Sequence, residues 1–153
     1  MRIGFGNDIH RLEEGRKLFL GGINLPYEKG CVAHSDGDVL IHALIDSILG
    51  ALALGDIGTF FPPEDNKYKG IDSKLLLGYI LEKAKPEFIN IDATITLEGF
   101  KLKPYILEIR ESISKLCSIE IGQVSVKAKT NEGLDSLGSK EAIKAEVVVL
   151  LNN

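Results

Sequence analysis

No apolar run in this chain is long enough to cross a bilayer, and its first residues, MRIGFGNDIH, lack a basic segment followed by an apolar stretch and a cleavage site. Neither a membrane span nor a secretory leader is expected, so we expect a cytoplasmic protein, or a plastid stromal one with its transit peptide removed. Cysteine is scarce: Cys31 and Cys117 stand far apart, outside any C-x-x-C arrangement, and read as reduced thiols rather than a disulfide framework. An excess of basic residues is also missing. The net charge of -4 argues against nucleic acid or an anionic membrane as partner, because phosphate backbones are held chiefly by accumulated Lys and Arg. Any phosphate in a ligand must then be met locally, by metal, backbone amides and a few basic side chains. No internal repeat or low-complexity segment is evident.

Histidine is rare too, and its placement is informative. All three residues, His10, His34 and His42, lie in the first 42 positions, each close to an aspartate: Asp8-x-His10, His34-Ser35-Asp36 and Asp38-x-x-x-His42. Imidazole and carboxylate form the ligand set a borderline cation such as zinc prefers, and three protein ligands with an open fourth position mark a catalytic site. A single Asp-x-His pair is more often a pair of solvated side chains or a satisfied core histidine; the case rests on how the pieces combine.

With 153 residues, 44% of them hydrophobic and 26% charged, the chain has room for one core, and residues 1–153 are expected to form one catalytic domain. Arg2 to His10 alternates as a strand, which puts Asp8 and His10 on one face, where both can meet one ion. Leu18 to Pro26 reads as a hairpin turning at Gly21-Gly22. From Asp36, a plausible N-cap, to Leu54 the pattern is helical, with Val39, Leu40, Ala43, Leu44, Ser47, Ile48 and Ala51 as its apolar stripe. Asp38, His42 and Asp46 stand at i, i+4 and i+8 of that helix, a spacing that lets an aspartate orient the imidazole by taking its second N–H. Two prolines after Phe60-Phe61 exclude a central strand or helix interior and point to a surface loop, a candidate lid anchored by those rings.

Asp72-Ser73 caps a second helix to about Lys85, Phe88 to Leu97 is a strand, and Pro104 opens a third helix to about Cys117. Val124 to Thr130 reads as a strand with Val124, Val126 and Ala128 on one face. Ala145 to Leu151 is almost wholly apolar, which predicts a strand in a sheet buried on both sides. Strand and helix alternate along the chain, so the expected class is α/β (α+β): one mixed sheet with helices packed on it.

Gly6-x-Asp8-x-His10, Ala33-His34-Ser35-Asp36-Gly37-Asp38-Val39-x-x-His42-Ala43, Gly55-Asp56-Ile57-Gly58, Phe61-Pro62 and Lys69-Gly70-x-Asp72-Ser73 together resemble the 2-C-methyl-D-erythritol 2,4-cyclodiphosphate synthases of the non-mevalonate isoprenoid pathway. The resemblance runs from the first residues to Leu151. It implies helices on one side of the sheet and a homotrimer with active sites between subunits, the zinc side from one and the cytidine side from another. It implies zinc on Asp8, His10 and His42, with Asp46 orienting His42, His34 and Ser35 on the substrate's phosphates, and Asp56 on its erythritol hydroxyls. Ile57, Gly58, Phe61 and Asp65 complete that end of the implied substrate site.

At the other end, Glu132 would bind magnesium or manganese between the α and β phosphates and Thr130 the α-phosphate, flanked by Ala128, Lys129 and Asn131. The cytidine would lie on the loop Gly99 to Pro104, through Phe100, Lys101, Leu102 and Lys103. The implied reaction is intramolecular attack of the 2-phosphate of 4-diphosphocytidyl-2-C-methyl-D-erythritol 2-phosphate on its β-phosphate, releasing CMP.

The chain departs from the family pattern in four places. Lys129 and Asn131 flank Thr130 where the family usually has a second threonine. Gly99-Phe100 replaces the commoner Ala-Pro, Gly138-Ser139-Lys140-Glu141 replaces a glycine-arginine segment, and Pro63 stands where many members carry an acidic residue. Two other readings of the histidines remain open at this point: a zinc hydrolase using metal-bound water, which would not need Thr130 to Glu132, and a non-catalytic metal or isoprenoid-phosphate binding module, which would release no CMP.

Overall fold

The computed structural model describes residues 1–153. Its frame is a five-stranded mixed sheet in the order β4-β1-β7-β5-β6, built from β1 (Arg2–Glu14), β4 (Lys29–Cys31), β5 (Phe88–Thr96), β6 (Val124–Lys129) and β7 (Ala142–Leu151). Strand β1 pairs antiparallel with β4 and β7, and β5 runs antiparallel to β7 but parallel to β6. Parallel neighbours need a crossover, which here contains helix α4 (Ile106–Cys117). β2 (Leu18–Leu20) and β3 (Ile23–Leu25) form a separate hairpin, whose two-residue turn Gly21-Gly22 has positive φ at both positions, as glycine readily allows.

Helix α1 (Val39–Ala51) lies across β1 and β7 and packs on α3 (Ser73–Ala84). The expected apolar stripe is too narrow. Ile41, Ile45 and Leu49 are as fully buried as Leu44 and Ile48, because α1 is enclosed by the sheet on one side and by other elements opposite. Each such side chain contributes about 1.5–3 kcal/mol through burial.

The approach of α1 to β1 is set by two glycines. A Cβ on Gly4 would lie 1.8 Å from the carbonyl oxygen of Ser47, and one on Gly6 would lie 2.1 Å from that of Ala43. Helix backbone and strand backbone therefore touch, with no side chain between them.

Several expectations are met closely. Asp72 caps α3 through Lys74 N–H, and α4 follows a 3-10 turn containing Pro104. The first helix differs at its start: Asp38, not Asp36, is its N-cap, accepting from Ile41 N–H at 3.0 Å. The expected loop after Gly55 is partly ordered as the short helix α2 (Ile57–Phe60) and a 3-10 turn over Asn66–Tyr68, and the Phe61 ring meets Tyr68 and Tyr79 edge-on at 5.3 and 5.6 Å. Ala128, expected to share an inner face with Val124 and Val126, is exposed.

Two-sided burial of β7 is not found within the chain. Its odd-numbered residues from Ile143 to Leu151 face the helices, whereas Val148 is 40% exposed. Val148 pairs with Phe5, and Leu150 with Ile3; Phe5 and Ile3 are 56% and 73% exposed. The helices thus cover one side of the sheet and leave an apolar patch on the other.

A methyl group at Gly6 has no room to enter. Gly6→Ala should cost about 1–3 kcal/mol or more in urea unfolding, through overpacking; unchanged stability would show that helix and strand do not meet as described.

Candidate metal centre

Even-numbered β1 residues face α1, so beyond Gly6 the next two are Asp8 and His10, and the helix brings His42 over them. Asp8 Oδ2 lies 3.0 Å from His10 Nε2 and 3.0 Å from His42 Nδ1, and the two ring nitrogens are 3.3 Å apart. An ion bound tetrahedrally at 2.0–2.1 Å keeps its ligand atoms about 3.3 Å apart. The three donors already have nearly that spacing, and their nitrogen and oxygen character suits zinc or a similar divalent ion, so the residues fit the implied metal.

Electrostatics reinforce the arrangement. Burial pushes the Asp8 carboxyl up, but hydrogen bonds from His10 and His42, and the charge of both rings, outweigh it and hold Asp8 below the usual carboxylate range. For His42, burial opposes protonation, while the hydrogen bond to Asp8 and the charges of Asp8, Asp38 and Asp36 win and raise it. Asp8 is thus held as a carboxylate between the two rings.

The Nε2 side of His42 is also occupied, by Ser73 Oγ at 2.9 Å and Ser35 Oγ at 3.2 Å. Neither helix aspartate does this work. Asp38 is completely buried and receives Gly21 N–H, Gly22 N–H and Ile41 N–H, which ties the hairpin turn to the start of α1. Asp46 accepts from Ile57 N–H at 2.7 Å, which joins α1 to α2, and it makes no hydrogen bond with His42. Periodicity placed three polar groups along one ladder; tertiary contacts gave each a different partner.

A cavity of about 260 Å³ opens beside these ligands, lined also by His34, Ser35, Ile57, Gly58 and Phe61. Asp56 and Asp65 are not in its wall. Asp56 caps α2 through Thr59, whose hydroxyl and N–H hold its carboxyl low, and Asp65 pairs with Lys67 at 2.8 Å. Ala33, Pro63, Tyr68, Ile71 and Leu76 line the cavity and Ser73 contacts His42 from outside it; none was anticipated as a site residue. For Ser73 the available signal was the Lys69-Gly70-x-Asp72-Ser73 motif, read as a helix start and as part of the family resemblance, with no role given to the serine itself.

A second cavity, of about 190 Å³, gathers Phe100, Lys101, Leu102, Lys103, Ala128, Lys129 and Thr130 with Leu97. It shares no lining residue with the first. Phe100 stacks on Tyr27 and on Tyr105, at 4.9 and 5.6 Å between ring centroids, which braces its loop. Asn131 and Glu132 lie outside this wall: Asn131 N–H donates to Glu98, and Thr130 donates to the Glu132 carboxylate at 2.8 Å.

The YgbB family profile matches residues 1–152. This chain belongs to the YgbB family. A member from Brachyspira hyodysenteriae, named 2-C-methyl-D-erythritol 2,4-cyclodiphosphate synthase, is 55% identical over 99% of this chain and 98% of its own length. A solved structure of a synthase of that name with CDP bound has a TM-score of 0.89 and 38% identity, covering 99% of this chain and all of the other. The bifunctional IspDF of Campylobacter jejuni aligns with a TM-score of 0.92 and 38% identity over 97% of this chain, which spans only 41% of that protein. The family likeness thus extends over both cavities.

A cation must displace the proton that Asp8 helps His42 to keep. Affinity for zinc should therefore be weaker at about pH 6 than at about pH 8, with protons released on binding; competition titrations at the two pH values measure it, and equal affinities would contradict the assignment of His42 as a ligand.

Proposed function

We propose that this chain is a 2-C-methyl-D-erythritol 2,4-cyclodiphosphate synthase, a single catalytic domain over residues 1–153 that forms the cyclic diphosphate from 4-diphosphocytidyl-2-C-methyl-D-erythritol 2-phosphate and releases CMP for isoprenoid precursor synthesis. The observation that carries this reading is the convergence of Asp8, His10 and His42 beside a cavity lined by His34 and Ser35. Full-length identity of 55% to a synthase of that name, and CDP in a structural relative, support the same substrate class.

In the reaction an oxygen of the 2-phosphate bonds to the β-phosphorus, the bond from that phosphorus to the oxygen bridging to the α-phosphate breaks, and CMP leaves with the electron pair. Nucleophile and leaving group belong to one molecule, so the protein mainly holds two anions together and offsets their repulsion. Asp8, His10 and His42 would hold zinc, and Glu132 magnesium or manganese; bound there, these ions supply Lewis-acid stabilisation of phosphate charge. His34 and Ser35 orient the phosphate end, with Ile57, Gly58 and Phe61 enclosing the carbon skeleton and Asp56 and Asp65 at its rim. Thr130 holds the α-phosphate. The braced loop of Phe100, Lys101, Leu102 and Lys103, with Ala128, Lys129 and Asn131, receives the nucleotide. No protein nucleophile is needed, because phosphate oxygen is already ionised near neutral pH.

The two cavities share no wall, so one substrate would reach both most simply across a subunit boundary. A homotrimer closing over the patch of Ile3, Phe5, Val148 and Leu150 meets that need and removes an apolar surface from water. We assign the enzyme to the cytoplasm, or to a plastid stroma.

With zinc and magnesium present, the proposed substrate should yield CMP and the cyclic diphosphate together, and chelation should stop both. CMP without cyclic product would favour a hydrolase, and neither product from folded, zinc-loaded protein would favour a binding module. Phe5→Glu should shift the sedimenting mass from trimer towards monomer and reduce activity; an unchanged trimer would remove this face from the interface.

A further inference from the structure

Asp36 and Ser73 line neither cavity, yet they form a connected chain behind His42. The carboxylate of Asp36 receives three donors. One oxygen accepts Asp38 N–H at 3.1 Å and the Ser73 hydroxyl; the other accepts Ser73 N–H at 3.0 Å. The two segments are also laced through backbone: Gly70 N–H donates to His34 O at 2.7 Å, and Asp36 N–H donates to Ile71 O at 3.1 Å. Ser73 is fully buried, so its hydroxyl has no access to solvent.

A serine hydroxyl has one proton and two lone pairs, and an ionised carboxylate can only accept. With its proton given to Asp36, Ser73 Oγ can only accept from His42 Nε2, 2.9 Å away. His42 must then carry a proton on Nε2, so that when a cation displaces the proton shared with Asp8 it is Nδ1, the atom facing Asp8 and His10, that offers its lone pair.

We propose that Asp36 and Ser73 are positioning residues that fix the tautomer and ring orientation of His42 for metal binding, taking the place expected of Asp46. This rests on the proposed metal site and adds its outer support. Ser35 is drawn into the same pattern: its oxygen accepts Gly37 N–H and lies 3.2 Å from His42 Nε2, so its own proton stays available to an anionic ligand in the cavity.

The first test is competition titration of zinc against a chelator in three variants, each checked for its native melting transition. Loss of an outer-shell partner typically costs about 10–100-fold in metal affinity. Ser73→Ala should lose affinity on that scale, and Ser73→Thr, which keeps the hydroxyl, should restore it. Asp36→Asn should behave like Ser73→Ala, because a carboxamide must turn its NH2 towards either a backbone N–H or the serine hydroxyl.

Wild-type affinity in folded Ser73→Ala would overturn the proposal, while metal-dependent CMP release by the unaltered protein would leave the cyclase reading standing. A test independent of variant folding is nitrogen NMR of the zinc-loaded wild-type chain: His42 should show a protonated Nε2 and a metal-bound Nδ1. Metal on Nε2 would overturn the proposal.

Discussion

The backbone contact between α1 and β1 is the constraint on which the other features depend. Gly4 and Gly6 let the helix descend until its carbonyl groups meet the strand, and any side chain there would lift it away. Because strand residues alternate, the positions after Gly6 on the same face are Asp8 and His10; His42 sits just before Ala43, whose carbonyl rests over Gly6. The same closeness that packs the core also brings the three ligand atoms within 3.0–3.3 Å. The spacing of these three donor atoms is thus a consequence of packing between two regular elements, which place side chains more rigidly than loops do.

Polar groups around this contact divide the work. Asp38 is buried and spends its acceptor capacity on backbone N–H groups of the hairpin and the helix start; burial raises its carboxyl despite those bonds. Asp46 fastens α2, which forms part of the cavity wall. No buried side-chain nitrogen or oxygen lacks a partner, so the site's polarity is enclosed without an orphaned group. Asp8, His10 and His42 are left as the one group of His, Cys, Asp or Glu side chains arranged to hold a metal ion. Both cysteine thiols are pushed up to about 12 by burial, and neither belongs to the metal group.

Local periodicity made the elements legible: alternation marked β1 and put Asp8 with His10, Gly21-Gly22 marked the hairpin, and Asp72 marked the start of α3. Partners chosen by tertiary contact were less legible. The ladder Asp38, His42, Asp46 suggested mutual hydrogen bonds, but the side chains that reach His42 come from the first residue of α3, 31 positions downstream, from β1 and from Ser35. The unbroken apolar run of β7 was ambiguous for another reason. Burial by helices and burial by a second subunit demand the same side chains, and within this chain only one face of β7 is covered by helices.

The most direct measurement is anomalous diffraction at the zinc edge from crystals of the zinc-loaded protein. The expected result is a single strong peak between Asp8, His10 and His42, with His42 bound through Nδ1 and a fourth position open towards the cavity that holds His34 and Ser35. Zinc elsewhere, or a closed four-ligand shell of protein atoms, would contradict a catalytic metal centre assembled by the α1 and β1 contact.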